Sequence, residues 1–159
     1  MRHRGDLNLS EQPSTDSVAS TMKRDHLVFG WSMFLVFAIL GLLLEALHGF
    51  KIGWYLDVGN ETRRMMLRLA HVHGTLLGAV NILFAVTVGS LAAKTDGTLT
   101  RASKMLRVGA ILLPGGFLLG GLHIYDGDPG LGIVLAPIGA LAFVVSMALT
   151  VSLVRQTKS

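Results

Sequence analysis

Residues 27–44 read LVFGWSMFLVFAILGLLL and contain no Asp, Glu, Lys or Arg. Apolar side chains occupy every face of this segment, whereas a helix on the surface of a soluble protein keeps a polar stripe. A membrane β-strand would instead alternate apolar and polar residues over about ten positions. The segment therefore predicts a helix that crosses the hydrocarbon core of a bilayer, which takes about 20 residues.

Three further segments of the 159-residue chain have the same character. The four predicted spans cover residues 27–48, 66–92, 105–125 and 130–154. Asp128-Pro129 predicts the start of the last helix, with a carboxylate at the N-cap and proline at the first helical position. Charged residues make up 15% of the chain, compared with roughly a quarter in soluble domains. We therefore expect an all-α integral membrane protein, a four-helix bundle of up-down-up-down topology over residues 26–155.

Basic residues divide unevenly between the two sides of this predicted bundle. Ten of the fourteen Lys and Arg residues fall on the side of the termini, and four fall on the other side. Because cytoplasmic loops are enriched in Lys and Arg, we expect the N and C termini to be cytoplasmic, in a bacterial inner (plasma) membrane. The polar residues 1–25 predict a disordered cytoplasmic tail, and residues 156–159 form a short cytoplasmic end.

Several classes of function have no support in the sequence. The chain has no Cys, which excludes a disulfide and a thiolate metal site. The net charge of +4 is spread over the loops, so nucleic acid is not an expected partner. The sequence has no phosphate-binding glycine loop, no nucleophile elbow and no HExxH zinc signature, so hydrolase and nucleotide-driven activities are not expected. Whether the protein is an enzyme stays open.

Four histidines and one glutamate are predicted to gather near the outer surface of the membrane. The antiparallel order of the spans brings together Glu45, His48, His71, His73 and His123. Glu45-x-x-His48 places two side chains on one helix face, whereas His71 and His73 point about 200° apart. These five residues are the candidate ligands for a copper or iron ion, because imidazole and carboxylate groups bind such metals. His26 is placed at the cytoplasmic end of the first span.

His71 and His123 are also the candidate cofactor-binding residues, as axial ligands of haem b. Imidazole is a common haem ligand, and helical bundles place such ligands on facing helices. The glycines near these two histidines on their helices are Gly74, Gly78, Gly109, Gly116 and Gly120. A glycine-lined face either packs closely against another helix or leaves room for a flat macrocycle.

Three functions fit these features. The leading hypothesis is an accessory or structural subunit of a membrane assembly, surrounded by the lipid bilayer and joined to a second copy or a larger complex through glycine-lined helix faces. The first alternative is a redox protein that binds haem or a transition metal at the histidine cluster. The second alternative is a proton or small-solute pathway, which would explain ionisable groups inside the spans. The inner halves of the spans carry few polar groups, which makes a complete pathway the least favoured.

Overall fold

The computed structural model describes residues 15–57, 61–90 and 97–156. The four long helices are α1 (Thr15–Gly49), α3 (Glu61–Ser90), α4 (Gly97–Leu122) and α5 (Leu135–Gln156), and the short helix α2 (Gly53–Leu56) follows α1. Strands β1 (Ile124–Tyr125) and β2 (Asp128–Pro129) and a 3₁₀ turn (Leu131–Val134) join α4 to α5. All four long helices are long and apolar enough to cross a membrane, which confirms the prediction of four apolar helices of spanning length. Residues 1–14 of the predicted tail and 157–159 of the predicted C-terminal end lie outside the described residues.

Helix α1 extends into the segment that was predicted as a disordered tail. It begins at Thr15, well before the predicted first span. The added residues are mostly polar and have no apolar stripe, so periodicity does not reveal the helix. Tertiary contacts hold this extension in place. Met22 packs against a core cluster of α3, α4 and α5, and the Asp25 carboxylate lies 3.6 Å from the Arg107 guanidinium of α4.

The long helices pack in chain order, α1 on α3, α3 on α4 and α4 on α5. The apolar windows of α3 and α4 are 39% and 44% buried inside the protein, whereas those of α1 and α5 are only 17% buried. Exposed apolar side chains on these two helices include Leu35 and Leu42 of α1 and Leu141 and Val144 of α5. Helices α3 and α4 therefore form the centre of the protein, and the described residues leave large apolar surfaces of α1 and α5 uncovered.

Glycines set the close approach of neighbouring helices. Gly30 of α1 meets Gly78 of α3, where an added Cβ on Gly78 would lie 2.8 Å from the backbone nitrogen of Phe34. Gly109 of α4 meets α5 in the same way, since its added Cβ would lie 2.9 Å from the carbonyl oxygen of Gly139. Side chains do not fit at such distances. These glycine faces are therefore helix-packing surfaces inside the chain, and the face on α4 has no space for a macrocycle at this position.

The connection between α4 and α5 is a tight hairpin. Asp126 and Gly127 have φ angles of 47° and 90°, the positive values that a type I′ turn requires at both central residues. Tyr125 pairs with Asp128 across this turn. The 3₁₀ turn before α5 begins only at Leu131. The predicted helix start at Asp128 is therefore wrong, because the Asp-Gly turn places Asp128 in a strand.

Replacing Gly78 with alanine is expected to lower the free energy of unfolding by roughly 1–3 kcal/mol, because the new methyl group presses on the backbone of α1. Gly115 of α4 is the matched control, since an added Cβ there meets nothing within 4 Å. Gly115→Ala is expected to leave the stability unchanged or slightly higher, because alanine favours a helix over glycine. Unfolding in detergent, followed by tryptophan fluorescence, measures both variants. Equal stability of the two would contradict the role of Gly78.

Candidate functional site

A groove of about 620 Å³ lies between the C-terminal half of α1 and the N-terminal half of α3. We call it the α1–α3 groove. Its polar lining consists of Glu45, His48, Tyr55, Arg68 and His71, and its apolar lining consists of Ala38, Gly41, Leu42 and Leu44. The groove thus brings together Glu45, His48 and His71, three of the five residues that the sequence suggested as metal ligands.

His71 is held in one orientation by α1. Its Nδ1 lies 2.6 Å from the carbonyl oxygen of Phe37, and because a carbonyl oxygen only accepts, Nδ1–H is the donor. Gly41 makes the contact possible, since an added Cβ would lie 2.7 Å from Nδ1 of His71. A neutral imidazole that donates from Nδ1 has a free lone pair on Nε2. His71 therefore has the ring orientation of a histidine that binds a metal or accepts a hydrogen bond from a ligand.

The other polar side chains of the groove have no hydrogen-bond or ion-pair partner among the described residues. Glu45, His48 and Arg68 are exposed, whereas the Tyr55 side chain is 1% exposed. Ionisable groups inside membrane spans are usually functional. A pocket with several convergent polar groups is the best candidate for a binding site.

Two arginines at the start of α3 hold the segment that carries Tyr55. The Arg63 guanidinium donates to the carbonyl oxygen of Trp54 at 2.9 Å and lies 4.6 Å from the centroid of the indole ring. Arg64 donates to the carbonyl oxygen of Asp57 at 3.3 Å. Carbonyl groups after a short helix need such donors because they have no helical partner. The contacts fix α2 against α3 and so position Tyr55 beside the groove.

The other two candidate ligands do not line the groove. Nδ1–H of His73 donates to the carbonyl oxygen of Leu69 at 2.8 Å, and its ring lies 5.0 Å from that of Phe117 on α4. His123 is exposed just after the end of α4. Within the described ranges, no group of three or more His, Cys, Asp or Glu side chains is placed to hold a metal ion. The metal site and the His71–His123 haem pair stay predictions without support from this geometry.

A second polar cluster joins three helices in the other half of the bundle. It consists of His26 of α1, Asn81 of α3 and Ser103 of α4, with His26 and Asn81 0% exposed. His26 Nδ1 lies 2.8 Å from Asn81 Oδ1, and His26 Nε2 lies 2.7 Å from Ser103 Oγ. Asn81 Nδ2 donates to the Leu77 carbonyl, so Asn81 Oδ1 accepts from Nδ1–H of His26. In the neutral imidazole, Nε2 then accepts from the Ser103 hydroxyl, and both ring nitrogens have partners.

The sequence interpretation missed this His26 cluster. It placed His26 at the membrane surface, because a charged run precedes it and the apolar span follows. The longer α1 instead puts His26 inside a helix that faces α3 and α4. The available signal was the presence of isolated polar residues in otherwise apolar spans, since such residues need partners inside the membrane. Ser146 of α5 is another isolated polar residue with a partner on a neighbouring helix, since its hydroxyl donates to the carbonyl oxygen of Ala102 on α4 at 2.8 Å.

Asn81→Leu is expected to lower the free energy of unfolding by roughly 1–3 kcal/mol, because it leaves Nδ1–H of His26 buried without an acceptor. Thr87→Val is the matched control, since the Thr87 hydroxyl donates to Leu83 on its own helix. The double variant His26→Leu/Asn81→Leu should recover part of the loss, because the orphaned donor is gone. Denaturant unfolding followed by circular dichroism measures the three. If Asn81→Leu lowers the free energy of unfolding no more than Thr87→Val does, the hydrogen bond between His26 and Asn81 does not stabilise the packing of α1 on α3.

Comparisons of the chain with protein-family models, with curated proteins and with solved structures gave no significant match. The α1–α3 groove and the uncovered faces of α1 and α5 are the features of this chain that bear on its function.

Proposed function

We propose that the protein crosses a bacterial inner membrane four times in up-down-up-down order, with both termini in the cytoplasm. Four sufficiently long apolar helices support the spans. The placement of ten basic residues on the terminal side and four on the other supports the orientation. On this arrangement the α1–α3 groove opens in the outer half of the bilayer, and the His26 cluster lies in the inner half.

Within that membrane, we infer that the protein is an accessory or structural subunit of an assembly. The low burial of α1 and α5, 17% of each apolar window, is the observation that carries this inference. A second copy or a larger complex would use these two faces, because Gly78 and Gly109 already pack inside the chain. The buried polar groups near the termini bond to one another, which suits a structural role better than a proton or small-solute pathway.

Cysteine crosslinking in native membranes tests this role, because the chain has no Cys of its own. Leu35→Cys on α1 and Leu141→Cys on α5 lie on the uncovered faces, at 62% and 66% exposure. At least one of them is expected to give a disulfide-linked or crosslinker-linked product of defined mass. Leu76→Cys on α3, which is 55% exposed, is the control for random collision. Crosslinking of all three variants to the same extent, or of none, would contradict a specific assembly.

A second candidate function is the binding of haem b or of a copper or iron ion at His71. The lone pair that a neutral His71 carries on Nε2 favours this candidate, and Glu45 and His48 line the same groove, but among the described residues no three such side chains are placed to hold one metal ion. His73 and His123 lie outside the groove lining, so a site that uses them requires another arrangement of the outer ends. The bound metal would supply redox chemistry, and this chain would hold and orient it through His71.

An absorption spectrum and metal analysis of the purified protein test cofactor binding. A cofactor on His71 is expected to give a Soret band or a stoichiometric metal signal that is lost in His71→Ala. His123→Ala distinguishes the two ligand sets, because it abolishes the signal only if His123 is the second axial ligand. Wild-type protein with neither a Soret band nor stoichiometric copper or iron would end this candidate function.

A further inference from the structure

The α1–α3 groove is apolar along one part and polar along the other. Ala38 and His48 are the first and last residues of α1 that line the groove. They are ten residues apart, which is about 15 Å along a helix. Ala38 and Leu42 line the part toward the middle of α1, and Glu45 and His48 line the part toward its end. Since the hydrocarbon core of a bilayer is about 30 Å thick, the groove reaches from the membrane surface to near its middle. A molecule that fills it has an apolar tail and a polar head.

The polar part of the groove offers both acceptors and donors. In the neutral His71 ring, Nε2 accepts, because Nδ1 carries the proton that bonds to the carbonyl oxygen of Phe37. The Glu45 carboxylate accepts as well, whereas the Tyr55 hydroxyl and the Arg68 guanidinium can donate. No described residue provides hydrogen-bond partners for Glu45, Tyr55 or Arg68 side chains. A head group that donates hydroxyl hydrogens and also presents an oxygen as acceptor would satisfy both kinds of group.

The charges of the groove favour a neutral head group. Glu45 and Arg68 carry opposite charges, and His71 is neutral when it donates from Nδ1 and accepts at Nε2. An anionic phosphate would meet the Glu45 carboxylate, and a cation would meet the Arg68 guanidinium. Repulsion of that kind costs more inside a membrane protein than in water, because the dielectric is lower. An uncharged molecule avoids both costs.

We propose that the α1–α3 groove binds an uncharged amphiphile from the bilayer through a hydroxyl-bearing head group. The hydroxyls donate to Nε2 of His71 and to Glu45, and Tyr55 and Arg68 donate to the head-group oxygens. The apolar tail lies along Leu42 toward the middle of α1. Such hydroxyls occur on hydroquinone rings and on glycerol head groups. The proposal does not rest on the accessory role, but it competes with a cofactor on His71 for the same lone pair.

Binding to the full chain in phosphatidylcholine nanodiscs, measured by calorimetry, tests the proposal. The probes are decylhydroquinone, its dimethyl ether, which keeps the ring and tail but has no O–H, and monodecanoylglycerol. Decylhydroquinone or monodecanoylglycerol is expected to bind about tenfold more tightly than the dimethyl ether, which corresponds to roughly one net hydrogen bond. Which of the two binds more tightly distinguishes a ring hydroxyl from a glycerol hydroxyl. Equal affinity for all three probes would overturn the proposal.

Variants locate the binding to the groove. Glu45→Leu is expected to weaken binding of the hydroxyl probe about tenfold, and Tyr55→Phe about threefold, because each removes one hydrogen-bonding group. Glu45→Leu is not expected to change affinity for the dimethyl ether, which has no O–H to donate, whereas Tyr55→Phe is expected to weaken both probes because the ether oxygens still accept from Tyr55. His123→Ala is the control, since His123 does not line the groove. A loss in His123→Ala as large as in Glu45→Leu would overturn the proposal, and so would a haem or metal bound stoichiometrically to His71. A failure of the cysteine crosslinking on α1 and α5 would contradict the accessory role but not ligand binding in the α1–α3 groove.

Discussion

Close backbone contact at glycines is the constraint on which the rest of this structure depends. Lipid tails are as apolar as leucine side chains, so packing rather than hydrophobic burial holds membrane helices together. Gly30 and Gly78 bring α1 against α3, and Gly109 and Gly139 bring α4 against α5. At this separation a single imidazole spans the gap between helices. His71 therefore reaches the backbone of α1, and His26 reaches both α3 and α4.

The two polar sites of the bundle use this close packing in opposite ways. In the His26 cluster, the groups are buried and both ring nitrogens have partners, so the imidazole has no free nitrogen for a ligand. Hydrogen bonds of this kind inside membranes are worth about 0.6 kcal/mol on average, which suits a modest tie between helices. The α1–α3 groove instead combines one fixed histidine with side chains that have unused hydrogen-bonding capacity. The fully hydrogen-bonded His26 cluster therefore fits a structural role, and the α1–α3 groove, whose polar side chains can still form hydrogen bonds, fits a binding role.

The four long helices differ in how much of their surface is buried inside the protein. α3 contacts both α1 and α4 and contributes to both polar sites, whereas α5 contacts mainly α4 and the connection before it. α3 and α4 therefore form the centre of the protein, and α1 and α5 are outer helices with exposed apolar side chains. The groove lies between α1 and α3, and its side chains Glu45, His48 and Arg68 are exposed.

The sequence by itself determined the four long apolar helices, because blocks of apolar residues of this length with few or no charges are typical of helices that cross a bilayer. It also placed Glu45, His48 and His71 at one end, since residues 50–60 connect the end of α1 to the start of α3. Only the tertiary structure decided which side chains meet. Periodicity fixes the angle between His71 and His73 on their helix, but the contact of Gly41 with His71 turns one toward α1 and leaves the other against Phe117. Likewise, the helical start at Thr15 and the partners of His26 depend on α3 and α4, and no local pattern encodes contacts between residues so distant in the chain.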